Sequence, residues 1–214
     1  MLAVNRRVQQ KAGFVKFHRR SAVTASRVAI FPGSFNPPTV AHLALATAAL
    51  ARADEVVFIL PQAFPHKDFS GVDFASRLEL LLAAVDHPRF TIATTAGGLF
   101  LDIAHELRPH YDEAAFHFLC GRDAAERIVD WPYPEPGTLE RMFQAFSLLV
   151  AARAGQYQPP AVYARAITAL QLEADFSHVS ATQVRQLIEA QGDWQALIPA
   201  AIAPQVARLY GPPR

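Results

Sequence analysis

The feature of this chain that most constrains its fold is a regular alternation that begins near residue 27. Short runs of β-branched and apolar residues alternate with longer helical segments. A parallel strand needs a crossover, usually a helix, to reach its neighbour, so this pattern is typical of a parallel sheet wrapped by helices. The predicted strands are residues 28–31, 55–60, 90–93, 116–120, 146–151 and 167–172, and the predicted helices are residues 39–52, 73–85, 99–107, 182–190 and 199–209. We therefore expect an α/β fold with a doubly wound, mostly parallel sheet.

Composition narrows the class of protein. A chain of 214 residues, 51% of them hydrophobic, can bury one substantial core. Its single cysteine, Cys120, cannot form an internal disulfide, which fits a reducing cytoplasm. Charged residues or prolines interrupt every apolar stretch before the roughly 20 residues that cross a bilayer. A net charge of +1 gives no general reason to bind a polyanion. We expect a cytoplasmic protein without a membrane or nucleic-acid partner, and the sequence is compatible with a homo-oligomer.

The first 27 residues differ from the rest because they contain no acidic residue. Their cations are Arg6, Arg7, Lys11, Lys16, Arg19, Arg20 and Arg27. Such a segment is interpreted as a transit peptide, a disordered tail or the product of an upstream start codon. We predict a basic, disordered extension over residues 1–27, followed by one domain over residues 28–210 whose C-terminal helices cover about 178–210. Nucleic-acid binding through the extension is the alternative, and it would be steeply salt-dependent.

A first motif joins the first predicted strand to the first predicted helix. It comprises residues 33–42, with the sequence Gly-Ser-Phe-Asn-Pro-Pro-Thr-Val-Ala-His. Gly33 permits a tight turn, and the N–H groups of the helix start can bind an anion. Thr39 and His42 are three residues apart and project from one side of the helix. Together they could hold a phosphate and stabilise charge during its transfer. Alternatively, Thr39 caps the helix and His42 packs against the sheet.

A second motif lies near the other end of the chain. Residues 178–185 read His-Val-Ser-Ala-Thr-Gln-Val-Arg and place hydroxyls at a helix start with a guanidinium one turn later. Ser180, Thr182 and Arg185 could hold a triphosphate, with arginine supplying a forked pair of donors. Alternatively, Ser180 and Gln183 form a capping box of a purely structural helix.

Both motifs resemble signatures of the nucleotidyltransferase superfamily. The first resembles its Gly-Ser-Phe-Asp-Pro type loop with a later histidine, and the second its Ile-Ser-Ser-Thr segment followed by two residues and arginine. Asn36, Ala41 and Ala181 stand where the superfamily usually has an acidic residue, glycine and serine. The resemblance implies a Rossmann-like fold with a small C-terminal helical subdomain. It also implies that ATP is bound by Gly33, Ser34, Phe35, Thr39, His42, Ser180, Thr182 and Arg185.

Three further segments resemble bacterial nicotinate-mononucleotide adenylyltransferases. They are residues 65–67, Pro-His-Lys, before a helix that opens with Arg77-Leu78; residues 121–123, Gly-Arg-Asp, with a tryptophan eight positions later; and residues 148–155, like the family's strand ending in Arg-Pro-Gly. The resemblance implies that Gly121 and Asp123 also bind ATP. It implies that the acceptor is bound by Asn36, Lys67, Trp131 and Arg153, with the indole stacked on a pyridine ring. Alternatively, Asp123 is a helix N-cap, Trp131 is packing, and Lys67 and Arg153 are surface cations. The family's Tyr-Thr pair after the third strand is replaced by residues 97–102, Gly-Gly-Leu-Phe-Leu-Asp.

The implied reaction is the transfer of AMP from ATP to nicotinate mononucleotide, which gives deamido-NAD and pyrophosphate. His42, Thr39, Lys67 and Arg185 would be the catalytic residues, and Mg²⁺ would accompany ATP without a dedicated protein metal site. Two alternatives remain open. The protein could transfer a nucleotide to another phosphorylated acceptor, such as nicotinamide mononucleotide, or it could be a nucleotide-binding sensor without turnover.

Overall fold

The computed structural model describes residues 15–63, 71–151 and 157–212. Within them, seven strands form one sheet in the order β1-β4-β3-β2-β5-β6-β7. The strands are β1 (Lys16–Arg19), β2 (Arg27–Pro32), β3 (Glu55–Pro61), β4 (Phe90–Thr95), β5 (Ala115–Gly121), β6 (Ser147–Ala151) and β7 (Ile167–Leu170). The α-helices are α1 (Val40–Ala49), α2 (Phe74–Ala84), α3 (Phe100–Leu107), α4 (Arg122–Asp130), α5 (Thr138–Ala145), α6 (Ala181–Glu189) and α7 (Ala203–Tyr210).

The sheet changes winding direction at its centre. From β2 the chain proceeds through β3 and β4 on one side, then returns to pair β5 with the other edge of β2 and continues through β6 to β7. All of these pairings are parallel. In such sheets a crevice opens beyond the carboxyl ends of the strands at the switch point, which here lies between β2 and β5. The first motif leaves β2 at this crevice.

Helices cover both faces of the sheet, as the prediction of a doubly wound fold requires. Successive residues of β2 illustrate the two faces, because Val28 and Ile30 join the core under α3 and α5, whereas Ala29 and Phe31 join the core under α1. All seven residues of β3 are buried. This agrees with the continuous apolar run in the sequence, since a strand covered on both faces needs no polar side.

The six predicted strands and five predicted helices are confirmed to within a few residues at their ends. The prediction did not include α4 and α5, which flank residues 131–137. Their sequences are more polar than those of the other crossover helices and so lacked the apolar signal. Within the described residues, no helix combines the length and the apolar content that a bilayer crossing would require.

The prediction of a disordered extension that reaches residue 27 is wrong for its last part, because β1 belongs to the sheet. This strand pairs antiparallel with β4. Arg19 donates to the carbonyl oxygens of Val85 and, at 2.8 Å, Leu82, which lie at the C-terminal end of α2. His18 Nε2 lies 3.1 Å from Thr94 Oγ1. Lys-Phe-His-Arg reads as a charged leader, yet charge on a short edge strand is a common protection against further pairing.

A buried carboxyl group lies at the amino edge of the sheet, opposite the crevice. Glu55 opens β3 and is 2% exposed. Its Oε1 accepts hydrogen bonds from the Tyr111 hydroxyl at 3.1 Å and from the Thr91 hydroxyl. Burial raises the pKa of Glu55 above its ordinary value, and these two hydrogen bonds together with the charge of Arg20 oppose the rise only in part. We call Glu55, Thr91 and Tyr111 the amino-edge cluster.

The amino-edge cluster predicts a pH-dependent stability. Because the pKa of Glu55 is raised by folding, its contribution is fully present below the unfolded value of about 4.3 and is lost as the pH rises through the folded pKa. The Glu55→Gln variant has no such carboxyl group. We expect its free energy of unfolding, relative to wild type, to increase from pH 4 to pH 7 in urea titrations. Glu113→Gln, which removes an exposed carboxylate, is the control, and a Glu55→Gln difference that stays constant with pH would contradict the prediction.

The C-terminal helices form a third core with α2. Leu80 of α2 packs with Val184 and Ile188 of α6 and with Val206 of α7. This packing fixes the start of α6 and the end of α7 relative to α2. Both ends lie beside the first motif, as the contacts described below show.

Candidate active site

The first motif begins with a turn that only glycine fits. Gly33 N–H donates to the carbonyl of Ile59 at 3.0 Å, which ties the turn to β3. A Cβ at residue 33 would lie 2.8 Å from Cζ of Phe35. That ring cannot yield easily, because Phe35 is 1% exposed and contacts the rings of Phe31 and Phe58. The aromatic core therefore sets the path of the loop at the mouth of the crevice.

Thr39 and His42 form a reciprocal pair at the start of α1. Thr39 is the N-cap, and its Oγ1 accepts from the N–H of His42 at 3.4 Å. In return, Nδ1 of His42 accepts from the backbone N–H of Thr39 at 2.9 Å and lies 2.8 Å from Thr39 Oγ1. A backbone N–H can only donate, so in the neutral ring the hydrogen is on Nε2. The capping alternative and the functional interpretation are therefore compatible, since the cap orients the imidazole.

The second motif reaches the first through Arg185. Its Nη1 donates to the carbonyl oxygen of Asn36 at 2.6 Å, and its Nη2 donates to Thr182 Oγ1 at 3.3 Å. Ser180 is the N-cap of α6 and accepts from the N–H of Gln183 at 3.1 Å. Ser180 therefore caps α6, as the structural alternative expected. The same turn of the helix also contacts Asn36, which lies 149 positions before Arg185.

The charge of Arg185 is not balanced by a carboxylate in the described part of the chain. Both of its hydrogen bonds go to neutral oxygen atoms, and the ion pairs found among those residues do not include it. A guanidinium has five N–H donors, so two hydrogen bonds leave capacity for another acceptor. Beside two helix starts, this arrangement suits a phosphate group.

Two residues that the sequence did not assign to the site also hold the first motif. Arg77 of α2 is 3% exposed, and its Nη1 donates to the carbonyl oxygen of Ser34 at 3.1 Å. The hydroxyl of Tyr210, the last residue of α7, donates to Asn36 Oδ1 at 2.6 Å. The pKa of Arg77 is lowered and that of Tyr210 raised, in both cases mainly by burial. The resemblance of the Arg77-Leu78 pair to the family could have indicated a role for Arg77. No local sequence pattern indicates a role for Tyr210.

On the other side of the switch point, α4 begins directly after β5. Gly121 is the N-cap, and a Cβ placed there would meet nothing within 4 Å, so the backbone faces open space. Asp123 is exposed in the first turn, and the alternative that it is the N-cap is wrong. Trp131 ends α4 with 43% of its surface exposed. Its ring is therefore not part of the buried core.

A family model described as cytidylyltransferase-like matches residues 30–187 and so includes both motifs. The chain belongs to this family. Its relatives include proteins named "Probable nicotinate-nucleotide adenylyltransferase" from three bacteria. The one from Desulfotalea psychrophila is 30% identical over 85% of this chain and 97% of its own length. That from Syntrophotalea carbinolica is 27% identical over 85% and 95%, and that from Citrifermentans bemidjiense is 37% identical over 49% and 53%.

Solved structures support the cytidylyltransferase-like fold. The nicotinic acid mononucleotide adenylyltransferase of Plasmodium falciparum, complexed with NaAD, superposes with a TM-score of 0.62 at 14% identity over 87% of this chain and 98% of that chain. The same enzyme complexed with APC gives a TM-score of 0.63 at 15% identity, over 86% and 95%. At these identities the likeness concerns the fold, and it confirms the Rossmann-like prediction.

The structure brings together part of the site that was predicted from the sequence. The first and second motifs meet through Arg185 and Asn36, and Gly121 lies on the strand next to β2. Lys67 and Arg153 lie outside the described residues, so their roles remain predictions. After β4, Thr95 Oγ1 donates to the carbonyl of Gly97 at 2.8 Å, and Leu99 is largely exposed. This segment contains no tyrosine, and its aromatic ring, that of Phe100, stacks on Phe118 at a centroid distance of 4.3 Å.

Proposed function

We propose that this protein transfers AMP from ATP to nicotinate mononucleotide and releases deamido-NAD and pyrophosphate. The observation that carries the proposal is the contact between Arg185 and Asn36, because it joins two helix starts around one crevice. Both helix starts offer free N–H groups, and Arg185 adds a charge that suits a triphosphate. The names of the relatives identify the acceptor that best fits this family.

The reaction is a direct displacement at phosphorus. A 5′-phosphate oxygen of the mononucleotide attacks the α-phosphorus of ATP, forming a new P–O bond. The bond from the α-phosphorus to the bridging oxygen breaks, and pyrophosphate leaves with those electrons. No protein nucleophile is required, so catalysis comes from holding the two phosphates in line and from stabilising the charge that develops.

The residues of the two motifs divide this task. Nε2–H of His42, oriented by the bonds from Thr39 to Nδ1, donates to the α-phosphate oxygen as its charge increases. Ser180, Thr182 and Arg185 bind the β- and γ-phosphates, and Lys67 screens the charge of the acceptor. Gly33, Ser34, Phe35, Gly121 and Asp123 complete the ATP site.

Mg²⁺ enters in this proposal as part of the ATP substrate. Among the described residues, no group of three or more histidine, cysteine, aspartate or glutamate side chains is arranged to hold a metal ion. Mg²⁺ commonly retains several waters and binds through phosphate oxygens rather than an all-protein cage. The residues present thus fit an ion that is carried by the nucleotide.

The acceptor is recognised on the side of α4 in this proposal. The exposed ring of Trp131 supplies a flat surface for the electron-poor pyridine ring. Arg153 binds the phosphate of the acceptor, whereas Asn36, which is buried, acts through its contact with Arg185. We place the reaction in the cytoplasm, where the buried thiol of Cys120 would stay reduced.

The proposal is tested by measuring pyrophosphate release with a panel of substrates. ATP with nicotinate mononucleotide is expected to give a kcat/KM at least about tenfold above that with nicotinamide mononucleotide, a difference of about 1.4 kcal/mol in transition-state binding. CTP replaces ATP in a parallel series, and other phosphorylated small molecules replace the acceptor. The segment Gly97-Gly98-Leu99 specifically favours the alternative of a different acceptor. Faster turnover with another acceptor would establish that alternative, and ATP binding without pyrophosphate release would establish a sensor.

A further inference from the structure

The last residue of α7 makes a polar contact with the first motif. The Tyr210 hydroxyl donates to Oδ1 of Asn36 at 2.6 Å, although the two residues are 174 positions apart. Asn36 is 4% exposed. A buried amide oxygen that loses its partner is costly, so this hydrogen bond specifies the orientation of the Asn36 side chain.

Asn36 is held twice by the C-terminal helices, once through its side chain and once through its backbone. Its carbonyl oxygen accepts from Arg185 at 2.6 Å, while its amide oxygen accepts from Tyr210. Arg77 holds the carbonyl of Ser34 two residues earlier. A backbone rotation at residue 36 would strain both hydrogen bonds, so together they fix the carbonyl oxygen that positions the guanidinium of Arg185.

Attachment of α7 to the body of the protein does not depend on this bond. Val206 of α7 and Ile202 just before it are fully buried against residues of α2 and α6. These apolar contacts fix the helix, since burial of such side chains is the main source of packing energy. The hydroxyl of Tyr210 is thus not needed to hold α7 in place, and its effect is to orient Asn36 in the first motif.

We propose that Tyr210 is a positioning residue for ATP binding. Through Asn36 it fixes the carbonyl oxygen that holds Arg185, and it thereby sets the spacing between the two phosphate-binding motifs. This inference rests on the proposed function, in which Arg185 binds the β- and γ-phosphates. The effect of Tyr210 must then appear in the binding of ATP and much less in that of the acceptor.

The test is the Tyr210→Phe variant, which keeps the ring and removes the hydroxyl. We expect the KM for ATP, and the dissociation constant of a non-hydrolysable ATP analogue, to rise by about tenfold, the effect of one lost buried hydrogen bond. The KM for nicotinate mononucleotide is expected to change less than about twofold. A variant that binds the analogue as tightly as wild type would overturn the inference, as would an equal rise in both KM values.

Two further variants keep the test decisive. Tyr111→Phe removes a buried hydroxyl from the amino-edge cluster and is the control, so it should lower the thermal midpoint and leave the ATP constants unchanged. Asn36→Ala removes the same hydrogen bond from its other side, and adding Tyr210→Phe to it should weaken ATP binding no further. Additive losses in the double variant would count against the inference. If Tyr210→Phe fails to fold, Asn36→Ala alone must raise the analogue's dissociation constant.

The result is separable from a failure of the proposed function. Wild-type protein that binds the analogue but forms no deamido-NAD would refute the proposed reaction, while the comparison of analogue affinities would still decide the role of Tyr210. Wild-type protein that does not bind the analogue at all would refute both.

Discussion

Replacement of His42 by alanine is expected to lower kcat for pyrophosphate release by on the order of a hundredfold, with little change in the KM for ATP. Loss of one preorganised donor to the charge that develops in the transition state has this size in enzymes that transfer charged groups. The donor is preorganised here because both contacts of Nδ1 with Thr39 leave Nε2 carrying the hydrogen. Steady-state assays with saturating acceptor measure the effect.

His42 also completes the capping box of α1, so its replacement needs a control for stability. Glutamine is a natural residue at this position of a capping box and can keep the bond to the N-cap backbone. His42→Gln is therefore expected to retain the thermal midpoint of wild type and still lose about a hundredfold in kcat. If His42→Gln turns over like wild type, the imidazole has no chemical role.

Replacement of Arg185 by alanine is expected to lower kcat/KM for ATP by about a hundredfold, mainly through KM. The guanidinium belongs to the second motif and contacts the first. Its described hydrogen bonds go to neutral oxygens only. Arg185→Lys keeps the charge and loses the fork, so it should recover only part of the affinity. Titration with ATP in the pyrophosphate assay, and calorimetry with the analogue, measure both variants.

Arg208 provides the matched control for this substitution. It lies on α7 in the same group of C-terminal helices, and its side chain is exposed. Arg208→Ala removes the same unit of charge without touching either motif, so its ATP constants should match those of wild type. Equal losses in Arg185→Ala and Arg208→Ala would mean that general electrostatic attraction, not the contact with Asn36, governs ATP binding.

The sheet could be predicted from the sequence because burial on both faces leaves a continuous apolar run in each central strand. Strand β3, from Glu55 to Pro61, is the clearest case. Strand β1 could not be predicted in this way, since three of its four residues are basic and its pairing with β4 is accompanied by long-range contacts of Arg19 and His18. Helices α4 and α5 were missed for a related reason, because polar residues dominate them.

Within the site, local geometry was predictable and long-range contacts were not. Three-residue spacing at a helix start is enough to bring Thr39 and His42 together. The contact of Arg185 with Asn36 was not predicted, because no spacing rule connects residues 149 positions apart, and the resemblance to a superfamily assigned both residues to the site without joining them. Tyr210 had neither a local pattern nor a motif, and only the packing of α7 on α2 brings it to the loop.

The contacts of residue 36 with residues 185 and 210 have a consequence for the synthesis of this protein on the ribosome. The ribosome must extend the chain through α6 and α7 before Arg185 and Tyr210 can both hold the loop at the crevice. Contacts of such sequence separation form late and slowly compared with local ones. Nascent polypeptides should therefore bind ATP tightly only after residues 185–210 have left the ribosome, and saturating nucleotide should stabilise only chains that have folded with both motifs in place.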